Sequence, residues 1–221
     1  MIWSAKKARV GNWLDSDQPL SDPVLADIAA GGYQGIYRYA PLPQNGSIMD
    51  LSPGELQRIL RAGLQCGLVQ HPRSPQWNDL TKHVAADDAL SAVNWATHCG
   101  YPPGAHICLD FEGLRGADGE LASVNTPAVC IAWANAWAAA IVSTGYRAQL
   151  YVGYDVALSP EDLYGLHGVD SYWSDAGHRV VATRGCAMSQ GPERIIHGVK
   201  FDGDVLAPDL LGDVPMVASS S

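Results

Sequence analysis

The sequence has no lysine or arginine cluster beyond Lys6, Lys7 and Arg9, and 14 basic residues against 23 acidic ones leave a formal charge of −9. Proteins that grip phosphate backbones do so by releasing counterions with clustered cations, so nucleic acid is excluded as a partner. No run approaches the roughly 20 apolar residues of a membrane span. The alanine-rich stretch from Ala128 to Val142 is interrupted by Asn135, and stable membrane insertion is not expected. The residues after Met1 lack the apolar core of a signal peptide, which predicts synthesis in the cytoplasm without an export signal. The five cysteines have no CxxC spacing and mostly apolar neighbours, the pattern of buried reduced thiols. There is no HExxH, no Gly-x-Ser-x-Gly elbow and no phosphate loop. Metal hydrolase, serine hydrolase and nucleotide chemistry therefore drop away, and neither metal nor cofactor is expected.

What is present is a globular balance, with 47% hydrophobic and 17% charged residues over 221 positions. That length suits one domain, expected over residues 1–216, with 217–221 as a frayed tail and a monomer as the unit. Short apolar runs alternate with helical patterns, the signature of parallel strands joined by helical crossovers. Strands are predicted at Val10–Asp15, Gly35–Tyr39, Gly67–His71, His106–Phe111 and Arg147–Tyr154. Helices are predicted at Asp22–Ala30, from the capping spacing Ser52-Pro53-Gly54-Glu55 to Ala62, at Leu80–His98 with Val84, Leu90, Val93 and Trp95 as its apolar positions, and at Pro127–Ser143. A polar, glycine-rich loop through Gly119 separates the last of these from the strand before it. Beyond Asp155, candidate strands at Ser171–Ser174, Ala187–Gln190 and Val199–Val205 leave little room for helices. The fold class is therefore α/β, a single TIM-like barrel of five strand-helix units followed by three strands with few helices, with an open doubly wound sheet as the runner-up.

The segment Leu109-Asp110-Phe111-Glu112-Gly113 places two carboxylates two residues apart on a strand, so both project from one face. At the C-terminal end of a barrel strand that face opens on the mouth, where this fold assembles its sites. Repulsion and burial set the two pKa values apart, leaving one group as acid and the other charged, the division that glycoside hydrolysis needs. Asp15 ends the first strand and Asp202 lies on the last, so both reach the same rim. Tyr39, Tyr151 and Trp173 near strand ends suit sugar faces or the core alike. Arg38 would fork onto a substrate carboxylate or pair with a carboxylate of the barrel mouth. Gln190 would donate to a sugar or serve as a buried amide, and His71 ends the third strand.

These pieces resemble the family 25 glycoside hydrolases, lysozymes of phage and bacteria, and the related uncharacterised glycoside-hydrolase-like barrels. The resemblance lies in Asp15, Gly35-Ile36-Tyr37-Arg38-Tyr39, Gly100-Tyr101-Pro102-Pro103-Gly104 before Asp110-Phe111-Glu112, and Phe201-Asp202-Gly203-Asp204-Val205. It implies that Glu112 is the proton donor, that Asp110 stabilises positive charge or orients an acetamido group, and that Asp15 and Asp202 complete the set. Strand one departs from the family's glycine-apolar-Asp-apolar-Ser run, which leaves Asp15 and Asp17 as alternatives. The implied activity is cleavage of the β-1,4 bond after N-acetylmuramic acid in peptidoglycan, as in a phage endolysin released through a holin or an effector released by a secretion system. A catalytically silent glycan-binding or cell-envelope barrel is the alternative.

Overall fold

Ten strands form one sheet in the computed structural model, which describes residues 3–43, 47–72, 79–115, 120–176 and 181–220. In chain order they are β1 (Trp3–Lys7), β2 (Gly11–Ser16), β3 (Gly35–Ala40), β4 (Gln65–Gln70), β5 (His106–Phe111), β6 (Arg147–Val152), β7 (Val169–Ser174), β8 (Met188–Ile196), β9 (Val199–Leu206) and β10 (Met216–Ser220). The helices are α1 (Asp22–Ala30), α2 (Pro53–Arg61), α3 (Ala85–Cys99), α4 (Glu120–Val124), α5 (Pro127–Ser143) and α6 (Pro160–Tyr164).

Strands β2 to β9 close into a TIM-like barrel in which each pairs with the next and β9 returns to β2. All run parallel except β9, which is antiparallel to both neighbours and pairs Asp202 with Asp15. The closed barrel is the predicted architecture, and β9 follows β8 without a helix because their connection is a hairpin. Part of the loop through Gly119, residues 116–119, lies outside the described residues.

Two apolar layers form because side chains alternate across each strand. Leu14, Ile36, Leu68, Ile107, Leu109, Phe111 and Leu150 face outward into the helices. Trp13, Tyr37, Val69, Cys108, Tyr151 and Trp173 face inward. The inward layer closes because bulky rings lie over glycines of the neighbouring strand. A Cβ on Gly35 would come within 2.4 Å of the Trp13 ring, and one on Gly67 within 2.4 Å of Tyr37.

Helix starts follow local chemistry. The Ser52 hydroxyl accepts from the Glu55 backbone N–H at the N-terminus of α2, and Pro53 takes a first-turn position whose N–H would be unpaired in any case. The Glu55 side chain does not complete a capping box. It pairs instead with Arg38 at 2.8 Å, both groups being buried. The predicted helix from Leu80 is broken: a 3-10 turn at Leu80–Lys82 precedes α3. Its buried face is Ala85, Ala89, Ala92, Val93 and Ala96 packed against α5, while Val84 and Leu90 are exposed. Small residues let the two helices approach, which apolar periodicity alone did not reveal.

The chain ends differ from expectation. Residues 217–220, predicted to fray, belong to β10, which pairs with β1 from Trp3–Ser220 to Lys7–Met216 and meets β4 at Ala218–Cys66. Val217 and Ala218 are fully buried because this pair packs across the base of the barrel, where His106 Nδ1 accepts from the Met216 backbone N–H at 2.7 Å. Gly67→Ala is expected to force Tyr37 aside and to cost about 1–3 kcal/mol in urea unfolding, as overpacking does. Unchanged stability would show that the inner layer has slack.

Candidate active site at the barrel mouth

The inward positions nearest the C-terminal strand ends carry the chemistry. Asp15 stands two residues above Trp13 on β2, Tyr39 above Tyr37 on β3, and Asp110 above Cys108 on β5. Glu112 follows β5 directly, before Gly113, whose φ of 65° turns the chain and lets its N–H bond the Tyr154 carbonyl. Asp202 arrives from the opposite direction on antiparallel β9.

These residues border a cavity of two adjoining lobes, each of about 290 Å³, that share Asp15, Tyr39, Asp110, Glu112 and Asp202. One lobe adds Ser16, Asp17, His71, Pro72 and Lys200. The other adds Val69, Tyr151, Tyr154, Trp173 and Gln190. Asp15 is buried at the base and Asp17 is exposed at the rim, so both strand-one candidates reach the cavity at different depths. The Tyr39 hydroxyl reaches Asp15 Oδ1 at 3.4 Å, and its ring lies on His71 with centroids 4.5 Å apart. Tyr151 donates to Gln190 Oε1 at 2.8 Å. Trp173 is 2% exposed, packed between Tyr37 and Tyr151, and forms floor more than wall.

Arg38 does not join this group, which corrects both of its predicted roles. Alternation on β3 turns it outward, where it is fully buried, pairs with Glu55 and donates to the Ser16 and Met49 carbonyls. It braces α2 against the barrel. Sequence reasoning passed over Asp204, which shares the inner face of β9 with Asp202 by the same two-residue spacing that linked Asp110 to Glu112. It also undervalued His71, which is held at 2.9 Å by buried Asp50. Among the described residues, no group of three or more histidines, cysteines and carboxylates has the arrangement of a metal site.

Residues 26–186 match the family described as the Rv2525c-like, glycoside hydrolase-like domain. The chain belongs to this family. The matched segment holds Tyr39, Asp110 and Glu112; Asp15 and Asp202 lie outside it. No curated protein matches the sequence. Among solved structures, the Tat-secreted protein Rv2525c of Mycobacterium tuberculosis, in complex with L-tartrate, superposes with a TM-score of 0.65 at 13% identity, covering 93% of this chain and 99% of that one. An uncharacterised B. stearothermophilus protein gives 0.57 at 17% identity over 97% and 100%. The modular autolysin LytC of Streptococcus pneumoniae, in complex with a synthetic peptidoglycan ligand, gives 0.58 at 11% identity over 90% of this chain and 47% of that one. At these identities the likeness is one of fold. The Tat secretion of Rv2525c overturns the expectation of a protein made without an export signal and released through a holin or another secretion system.

The glycoside hydrolase-like barrel concentrates carboxyl groups where water is scarce. Burial, then repulsion from Asp202, lifts Asp15 to about 7. Burial, then Asp175, lifts Glu112 to about 7. Burial and Glu112 push Asp110 well above the ordinary carboxylate range, and burial and Asp15 do the same to Asp204. Each of these groups binds its proton more tightly in the folded chain than in the unfolded one. Their contribution to stability is fully present below the ordinary values near 4 and is lost as pH rises through the folded values, about 7 for Asp15 and Glu112. The melting temperature is therefore expected to fall by several degrees between pH 5 and pH 8 at constant ionic strength. A rise over that range in calorimetry would mean that these carboxyls do not hold their protons more tightly in the folded chain.

Proposed function

We propose that this protein is a glycoside hydrolase acting on peptidoglycan, a muramidase that cleaves the β-1,4 bond after N-acetylmuramic acid. The observation that carries the reading is Glu112, a half-buried carboxyl with its pKa raised to about 7, beside Asp110 in a cavity lined by carboxylates and aromatic rings. A carboxyl of that kind keeps a proton for delivery near neutral pH. Glu112 would protonate the glycosidic oxygen as the bond to the anomeric carbon breaks. Ionised neighbours would stabilise the positive charge left on the sugar, and water would then add to that carbon and return a proton to Glu112. Tyr154 and Tyr151 offer faces and hydroxyls to sugar rings, and Gln190 is oriented by Tyr151. Binding of peptidoglycan ligand by LytC is in keeping with this substrate class, and export such as that of Rv2525c would bring the protein to a wall.

One observation favours a second reading, a catalytically silent glycan-binding barrel. Asp110 is so deeply desolvated that it stays protonated well above the ordinary carboxylate range, and a neutral Asp110 supplies no charge to a cationic transition state. Incubation with purified walls separates the two. New reducing ends support the hydrolase. Co-sedimentation with walls whose muropeptides keep their mass supports the binding barrel.

Glu112→Gln keeps shape but cannot deliver a proton, so turnover is expected to fall about 10²- to 10⁴-fold with wall binding and melting temperature retained. Wild-type rates in the folded variant would remove Glu112 from the acid role. Gly153→Ala is the indirect counterpart. The added methyl would lie 2.3 Å from Glu112 Oε2 and 2.5 Å from its Cβ, so the carboxylate must move. Reducing-end assays should show impaired turnover although no functional group has been removed.

A further inference from the structure

Asp204 is the buried acid that the proposed chemistry leaves unused. It is 3% exposed, and neither of its oxygens has a hydrogen-bond partner of normal geometry. Antiparallel β9 places it opposite Trp13, one inward position deeper than the Asp202–Asp15 pair. Asp15 Oδ2 is likewise buried without a partner, although Tyr39 reaches the other oxygen. Around Asp204 stand Asp15 from β2, Asp202 from its own strand, Tyr37 and Tyr39 from β3, Cys108 from β5 and the Trp173 indole from β7. None of these is a cation. Two desolvated carboxyls at this spacing cannot both ionise, and the deeper one is the one that water cannot reach.

We propose that Asp204 is a positioning residue that keeps a proton at neutral pH and donates it in a hydrogen bond to Asp15, so that Asp15 presents a single charge in one orientation to the cavity. Asp15 is then held from below by Asp204 and from the side by Tyr39. Burial raises the affinity of both carboxyls for protons, and the contact between them adds to that effect at Asp204 and opposes it at Asp15, which accords with this arrangement. A protonated carboxyl here does what an asparagine would do, except that its proton can leave when the charge on Asp15 is removed. The functional consequence rests on the hydrolase reading; the protonation itself does not.

Infrared spectroscopy of the full chain with isotope-labelled aspartate tests it. At pH 7 the wild type should show the carbonyl stretch of buried protonated aspartates, and Asp204→Asn should remove one component of that band while leaving the component of Asp110. Asp15→Asn should keep the component that Asp204→Asn removes but move its loss to lower pH, since Asp204 then ionises without Asp15 as a charged neighbour. Absence of the band in the wild type, or a band of undiminished intensity in Asp204→Asn, overturns the proposal. In turnover on cell walls, Asp204→Asn should retain activity because the amide N–H donates the same bond. Asp204→Ala should lose roughly tenfold to a hundredfold, the worth of a hydrogen bond to a charged acceptor. Equal rates for Asn and Ala variants that both fold would also overturn it. If the wild type cleaves no glycan, the hydrolase reading fails and the infrared result still decides the role of Asp204.

Discussion

The inward aromatic layer is the element on which the rest of this structure depends. Trp13, Tyr37 and Trp173 meet across the barrel with centroids 5.7 and 5.2 Å apart, and Tyr151 stands edge-on to Trp173 at 4.9 Å. Rings of this size fit only because Gly35 and Gly67 give up their side chains on neighbouring strands. The layer shuts water out from below and makes a dry floor at a fixed height. Whatever stands one inward position higher is desolvated on one side and open to the cavity on the other.

Carboxylates occupy that height on β2, β5 and β9. Placing acids there costs stability: burial, the first cause in each case, raises the pKa of Asp15, Asp110 and Asp202. The chain treats its other buried acids differently. Glu55, equally buried, receives Arg38, and Asp209 receives Arg184 at 2.8 Å. Outside the barrel, acids are neutralised by partners. Inside, the described lining offers Lys200 and His71, which are paired with Glu193 and Asp50, and Lys200 also acts on Asp202 at the rim. A fold that pairs its structural acids and, among the described residues, gives buried Asp15, Asp110 and Asp204 no ion-pair partner keeps a polar site at a cost in stability.

Antiparallel β9 makes that arrangement possible. A parallel eighth strand would bring its C-terminal residues to the mouth, whereas β9 brings its early ones, so the Asp202-Gly203-Asp204 segment descends into the barrel from the rim. One acid thereby faces the cavity and the next enters the floor. The β8–β9 hairpin that delivers them continues outward beyond the barrel, with His197 at its turn reaching Asp27 of α1 at 2.8 Å.

Much of this was legible in the residues themselves, because strand alternation is a property of the backbone alone. The two-residue spacing of Asp110 and Glu112 determined that they share a face, and α1, α5 and β5 begin and end where capping residues, prolines and glycines require. The succession of short strands after Asp155 likewise carried the barrel's lopsided architecture. What the sequence could not determine was which face of each strand points inward and which direction the last strand runs. Arg38 and Tyr39 are adjacent, and only closure of the sheet sends one to a helix and the other to the cavity. Asp204 looked like part of a motif until antiparallel pairing set it beneath Asp15. Residues 217–220 carry no local signal of order, since their strand exists only because β1 and β4 offer it partners. Local chemistry sets the elements, whereas burial and charge at the site are properties of distant residues meeting, which tertiary structure alone decides.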